Sequence, residues 1–207
     1  MADTASRSAR AETGMQRRSE FIGGAAIGAA AAAGVVAIGI PAFADSASEG
    51  DVAVLNALLL VERVLAAYHR QAADTAIASG DLQTYLDRAA THDERHVDEL
   101  VAALGSDAEA EPTIGFDDTL FASPQAIATA AGDLKDIAIA GYNGHAGSLS
   151  AAGIALTSRL VAIDSRHAGW IRTLAGVELV APQPTDPGID AREVRSRLHD
   201  LGVRIGG

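Results

Sequence analysis

The stretch LVAIDSRHAGWIRTLAG, residues 160–176, decides the fold. Leu160, Ile163 and Ile171 recur at helical spacing, and Asp164 and His167 sit among them at i and i+3. An apolar helix face should be unbroken where it meets a core. A buried carboxylate costs several kcal/mol unless it is paired or coordinated. The same interruption recurs in THDERHVDELVAALG, residues 91–105, where Asp93 and His96 are again i and i+3. A third stretch, LNALLLVERVLAAYHRQA at 55–72, carries Glu62 within a stripe of Leu55, Leu58, Leu65 and His69. Two helices repeating acid-x-x-His, with a third supplying one acid, form the pattern of carboxylate-bridged dimetal sites inside four-helix bundles. Carboxylate oxygen with imidazole nitrogen suits iron, manganese or zinc.

Around these stretches the chain reads as four long helices and a short fifth. The first runs from Asp51, which is placed to cap it, to about Ala78, where Gly80-Asp81 follows. The second spans about Leu82–Leu104 and is stopped by Gly105. Ser123-Pro124, a serine cap with proline at the first helical position, opens the third, which runs to about Ala146. The fourth spans about Ala151–Ala175 and ends at Gly176. A proline-rich linker, Pro182–Gly188, leads to an amphipathic helix at Asp190–Leu201. Short joins make each consecutive pair an antiparallel hairpin. The connection Ser106–Ser123 is too long for a hairpin turn and reads as too polar for a strand. It predicts a crossover along the bundle. The expected class is all-α: a ferritin-like four-helix bundle, two hairpins joined by one long crossover, plus a short C-terminal helix.

Composition narrows the function. The chain has 207 residues and a formal charge of −11, which leaves no basic face for phosphates and predicts no nucleic-acid partner. It has no cysteine, so disulfides, thiolate chemistry and cysteine-ligated metals are excluded. Aromatic residues are 4%, so Ala, Leu, Val and Ile must build the core, which favours helices. Arg17-Arg18 precedes an uncharged, Ala/Gly-rich run, Ile22–Ala44, ending in the small-residue signature Ala42-Phe43-Ala44. This predicts an export signal over residues 1–44, similar to a twin-arginine signal, with cleavage before Asp45. The protein is then exported to the periplasm, cell envelope or outside, and touches a membrane only through an uncleaved signal. Residues 45–180 are expected to form the bundle, and 181–207 the linker and last helix. The Ala-rich helix faces leave a homo-oligomer open.

The segments LNALLLVERVLAAYHRQA, THDERHVDELVAALG, DLKDIAIAGYNGHA (133–146) and LVAIDSRHAGWIRTLAG resemble the four helices of a ferritin-like family that includes exported bacterial proteins and plant desiccation-related proteins. The resemblance covers about residues 51–176. It implies six metal ligands: an acid on the first and third helices, and Glu-x-x-His on the second and fourth. Glu62, His96 and His167 stand at such positions, and Asp93 and Asp164 stand where the family has Glu. On the third helix the aligned position is Lys135, the sole lysine of the chain. Lys135 shares a helix face with Ala128, Ala131, Ala138 and Tyr142, which points it inward, whereas Asp136 shares a face with Thr129, Asp133 and Asn143 and reads as solvated.

The candidate metal set is therefore Glu62, Asp93, His96, Asp164 and His167, with Lys135 in place of the sixth ligand. An ammonium beside two divalent ions is unfavourable by several kcal/mol at moderate effective dielectric. Three states remain open: a metal-free polar network, one iron or manganese ion, or a dinuclear centre. His92 is either a further ligand or a boundary residue. Tyr68 and Tyr142 either line the site or pack the core, Trp170 packs, and His69 and His145 are surface or hydrogen-bonding residues near helix ends. Two functions follow: a non-catalytic envelope, stress or structural protein with a degenerate centre, or a metal-dependent oxidoreductase, ferroxidase- or catalase-like.

Overall fold

The computed structural model describes residues 47–178, 181 and 183–206. The expected export segment, residues 1–44, and Pro182 of the linker lie outside the described residues. Four long helices follow one another: α1 (Glu49–Ala73), α2 (Gly80–Leu104), α3 (Pro124–His145) and α4 (Ala151–Leu174). A shorter helix, α5 (Ala191–Leu201), closes the set. The architecture is the all-α bundle with a short C-terminal helix that the periodicity predicts. Among the described residues no helix is long and apolar enough to cross a membrane.

The helix ends follow local chemistry. The Ser123 hydroxyl accepts a hydrogen bond from the Ala126 N–H at the start of α3, and Pro124 occupies the first turn. Ser150 caps α4 by accepting from Gly153 N–H, and Asp190 caps α5 by accepting from Glu193 N–H. Two expectations at α1 need correction. Asp51 is not its cap: Ser48 holds that position, and Asp51 is buried inside the first turn. Its carboxylate instead accepts from the Ser150 amide at 2.8 Å and the Ser150 hydroxyl at 2.5 Å, pinning the α3–α4 turn to the start of α1. The helix also ends at Ala73 rather than near Ala78, because the Thr75 hydroxyl donates to the Ala72 carbonyl and closes the last turn.

The crossover departs from expectation as well. It holds a short strand, β1 (Thr113–Phe116), which pairs antiparallel with β2 (Val203–Gly206) after α5. Phe116 lies opposite Val203, and both are buried. Four residues with one inward aromatic suffice, since the partner strand supplies the other half of the ladder. The pairing ties the C-terminal end of the described chain to the crossover.

The core falls into two apolar clusters. One is built on Val61, Leu65, Leu86, Ile127, Leu134 and Ile171. The other is built on Leu55, Leu58, Leu100, Leu104, Leu156 and Leu160. On α2 and α4 the interrupting polar residues fall in sequence between the two sets, and on α1 Glu62 follows Val61 at their border, so a polar layer lies across the bundle between apolar halves. Outside α3, the segment after residue 183 is laid against the helix by a close backbone approach: a Cβ on Gly144 would stand 2.0 Å from the Ile189 carbonyl oxygen. The Ile189 N–H donates to the Ala140 carbonyl at 2.9 Å.

Gly144→Ala should therefore lift this segment off α3 and lower stability by about 1–3 kcal/mol, as overpacking does. Amide exchange at Ile189 should accelerate in the variant, and an unchanged rate would contradict the close contact.

Candidate metal centre

Each of the four long helices sends charged or polar groups into the middle layer. Glu62 and His69 come from α1, seven residues apart and therefore on one face. Tyr85, Asp93 and His96 come from α2, Lys135 and Tyr142 from α3, and Asp164 and His167 from α4. Glu62, His69, Asp93, Lys135 and Asp164 are 0% exposed, and His96 is 5% exposed.

Lys135 is the hub. Its ammonium donates to Asp93 Oδ1 at 2.6 Å and to Asp164 Oδ1 at 2.7 Å, bridging α2 and α4 from α3. Asp136, the alternative on that helix, is exposed and pairs with Arg172 at the surface. The second oxygen of Asp93 contacts His69 Nδ1 at 2.7 Å, and His69 Nε2 faces the Tyr85 hydroxyl at 3.5 Å. Glu62 Oε2 lies 3.2 Å from His96 Nδ1, while Glu62 Oε1 accepts from the Tyr142 hydroxyl at 2.6 Å. His96 Nδ1 is also 3.8 Å from Asp164 Oδ1.

The fields in this layer separate the acids. Burial by itself raises Asp93, but Lys135 and then His69 outweigh it and hold the carboxyl well below the usual range. For Asp164, burial and the neighbouring Glu62 charge outweigh Lys135, and its pKa is pushed up to about 8. His96 has a raised pKa: burial opposes its charge, but the hydrogen bond and charge of Glu62 prevail. Lys135 is raised because Asp164 and Asp93 overcome its burial. Burial lowers His69, leaving it neutral beside Asp93. Near neutral pH the layer balances itself. Lys135 is charged against Asp93, Asp164 holds a proton, and the raised pKa of His96 favours its charged form beside Glu62.

Of the five residues proposed as ligands, the structure brings four together. Donor atoms of Glu62, Asp93, His96 and Asp164 all lie within 4.8 Å of one another. His167 stands apart from that group: its Nε2 is 3.1 Å from His92 Nδ1, with the two rings stacked. Burial and then the charge of Lys135 push His167 down to about 3. Of the two candidate tyrosines, Tyr142 lines the site and Tyr68 does not, donating instead to backbone carbonyls including that of Ile127. Tyr85 and His69 complete the network without having been placed in it by the acid-x-x-His pattern. Their signal was spacing, since Tyr85 lies eight residues before Asp93 and His69 seven after Glu62.

The donor set fits one ion better than two. Asp164 Oδ2 is buried with no hydrogen-bond partner among the described residues, a carboxylate oxygen available to a cation. Together with Glu62, Asp93 and His96 it could hold a single metal ion. A second divalent ion would share the layer with the ammonium. A +1 and a +2 charge 4 Å apart repel by about 8 kcal/mol at an effective dielectric near 20. Three carboxylates, with Lys135 already on two of them, do not offset that twice.

A family model described as a ferritin-like domain matches residues 50–177. No curated protein matches the chain.

The protonation pattern predicts a pH profile. Asp164 is raised from 3.8 to about 8, so the stability it contributes is complete below 3.8 and is lost as pH rises through about 8. His96, raised above 6.5, loses its contribution in the same direction. His167 and Asp93 are lowered, so theirs are lost on acidification, through about 3 for His167 and well below 3.8 for Asp93. Between pH 6.5 and 8 the metal-free protein should therefore lose stability, by up to about 1.4 kcal/mol per pH unit for each proton released. Asp164→Asn should flatten that part of the urea-midpoint profile, and an unaltered slope would contradict the assignment.

Proposed function

The chain belongs to the ferritin-like domain family, and from that premise we propose an exported, non-catalytic bundle whose dimetal centre is replaced by a lysine-centred salt-bridge network. Its role is then structural, in the cell envelope or in stress protection, with no turnover at the bundle centre. The observation that carries this reading is the Lys135 ammonium bonded to both Asp93 and Asp164. In a bundle built around metal, the cations that balance the interior acids come from outside. Here the fourth corner brings its own charge, and the three interior acids are compensated by Lys135, by His96 and by a proton on Asp164.

A second reading, a metal-dependent oxidoreductase working with one iron or manganese ion, is favoured by the unpartnered Asp164 Oδ2 amid three further donors. Glu62, His96 and Asp164 would hold the ion, and Asp93 would do so if Lys135 released it. The ion would supply redox or Lewis-acid chemistry. Tyr142 would orient Glu62 through its hydroxyl, and His69 would orient Asp93 through Nδ1. The two readings are separated by metal counting. Loaded anaerobically with Fe2+ or aerobically with Mn2+, the protein should hold no stoichiometric interior ion on the first reading and one per chain on the second, and Lys135→Glu should raise the number found. No increase in Lys135→Glu would remove the charge-replacement account.

Export rests on Arg17-Arg18, the uncharged run Ile22–Ala44 and the Ala42-Phe43-Ala44 signature. It also supports membership of the exported bacterial branch, which resembles plant desiccation-related proteins. The processed protein should begin at Asp45, as read by N-terminal sequencing from the envelope or medium. Replacing Arg17 and Arg18 together by Lys should leave precursor in the cytoplasm. Normal processing of that double variant would point to the general secretory route instead.

A further inference from the structure

A cleft of about 270 Å3 opens between α2 and α4. His92 and His96, one helical turn apart, line its α2 side, and Arg159 reaches across from α4. Behind this lining, His92 Nδ1 lies 3.1 Å from Nε2 of buried His167, with ring centroids 5.1 Å apart and planes within 17°. We propose that His92 and His167 form a second metal site, separate from the carboxylate centre, which takes a borderline divalent cation such as Zn2+, Ni2+ or Cu2+ from solvent.

The spacing supports this. Imidazole nitrogens bind such ions at about 2.0–2.1 Å, so two on one ion at tetrahedral or square angles lie about 2.8–3.4 Å apart. The two nitrogens already stand within that range, and they come from different helices. A bound ion would therefore clip α2 to α4 without moving the backbone. His92 is half-buried and lines the cleft, so water from that side can complete the coordination of an ion held there. His167 is buried, its Nδ1 has no hydrogen-bond partner among the described residues, and its Nε2 shares one hydrogen bond with His92 Nδ1, so the metal-free pair keeps one proton between the rings. The His167 ring can keep its proton on Nδ1 and present the Nε2 lone pair. His92 in turn can move its proton to Nε2, so two neutral imidazoles meet the ion and no net proton is released.

The donor set also sets selectivity. Glu99, the acid lining the cleft, is engaged by Arg159 at 2.9 Å and by Arg95 at 3.9 Å. With its carboxylate occupied and guanidinium groups on the rim, a hard cation that needs oxygen ligands finds little here. Imidazole nitrogen alone favours Zn2+, Ni2+ and Cu2+ over Mg2+, Ca2+ and Mn2+.

The test is isothermal titration of the tag-free protein with Zn2+, alongside His92→Ala and His167→Gln. His92 is partly exposed and its truncation should leave the fold intact, which circular dichroism checks. One Zn2+ site per chain is expected, with affinity reduced at least tenfold in either variant. Cu2+ bound at the same site should show hyperfine splitting from two nitrogens by electron paramagnetic resonance. His92 is not part of the carboxylate cluster, so an interior ion would survive His92→Ala. Zn2+ binding that persists undiminished in His92→Ala, or no Zn2+ binding at all, would overturn the proposal, and neither result would bear on the lysine-centred network.

Discussion

The protonated amine of Lys135, 2.6 Å from Asp93 and 2.7 Å from Asp164, is the contact on which the polar layer depends. Removing carboxyl groups and an ammonium from water carries a desolvation cost of several kcal/mol for each group that stays charged. That cost is met only where opposite charges sit at hydrogen-bond distance and their remaining lone pairs are filled. Asp93 meets the condition fully, with Lys135 on one oxygen and His69 on the other. Asp164 meets it by half, with Lys135 on Oδ1 and nothing on Oδ2. That difference, together with the Glu62 charge beside buried Asp164, drives two aspartates on the same ammonium in opposite directions, one to hold its charge and the other to take a proton.

Chain lengths fit this arrangement. Aspartate is one methylene shorter than the glutamate expected at both acid-x-x-His positions, so neither Asp93 nor Asp164 extends far toward the bundle axis. A lysine has four methylenes, and from α3 it spans the distance that the two shorter acids leave. The three differences from the family pattern are thus physically consistent with one another. Beyond this triad the polar contacts run through His69 to Tyr85 on one side and, through His96, to Glu62 and Tyr142 on the other. All four helices contribute, so sliding any one of them would strand a buried charge. A satisfied polar layer of this kind fixes helix register more sharply than interchangeable leucines would. The Asp51–Ser150 contact repeats the device at another point of the bundle.

The helices and their order were legible because the apolar period, the Ser123-Pro124 start and the glycine stops are local signals. The inward turn of Lys135 was legible for the same reason, since its face carries Ala128, Ala131 and Ala138 and that of Asp136 does not. What escaped was non-local. The strand at Thr113–Phe116 has only four residues, and its partner lies some ninety positions away. Asp51 looked like a cap because a cap needs only sequence position, whereas its actual partner, Ser150, is set by packing. His167 carries the acid-x-x-His spacing, yet its ring stacks on His92. Helical spacing gives a side chain's face but not its rotamer, and here the rotamer decides which neighbour it meets.

Access to the layer is uneven, and this shapes what the centre can exchange with. Glu62, Asp93, Lys135 and Asp164 are closed to solvent, while His96 keeps a small opening and lines the cleft between α2 and α4. Protons and ions approaching Glu62 or Asp164 from that side pass His96 first. They also compete for one group, because the Asp164 oxygen that could receive a metal belongs to the carboxyl that holds a proton up to about pH 8. Near neutral pH a cation entering the centre must displace that proton and also tolerate the ammonium, two penalties of the same sign. Above pH 8 the first falls away and the second persists, because the amine of Lys135 is raised by the two aspartates it holds. Alkaline conditions alone therefore leave the lysine in place, and the ammonium rather than the proton sets the upper limit on how much metal charge the bundle can accept.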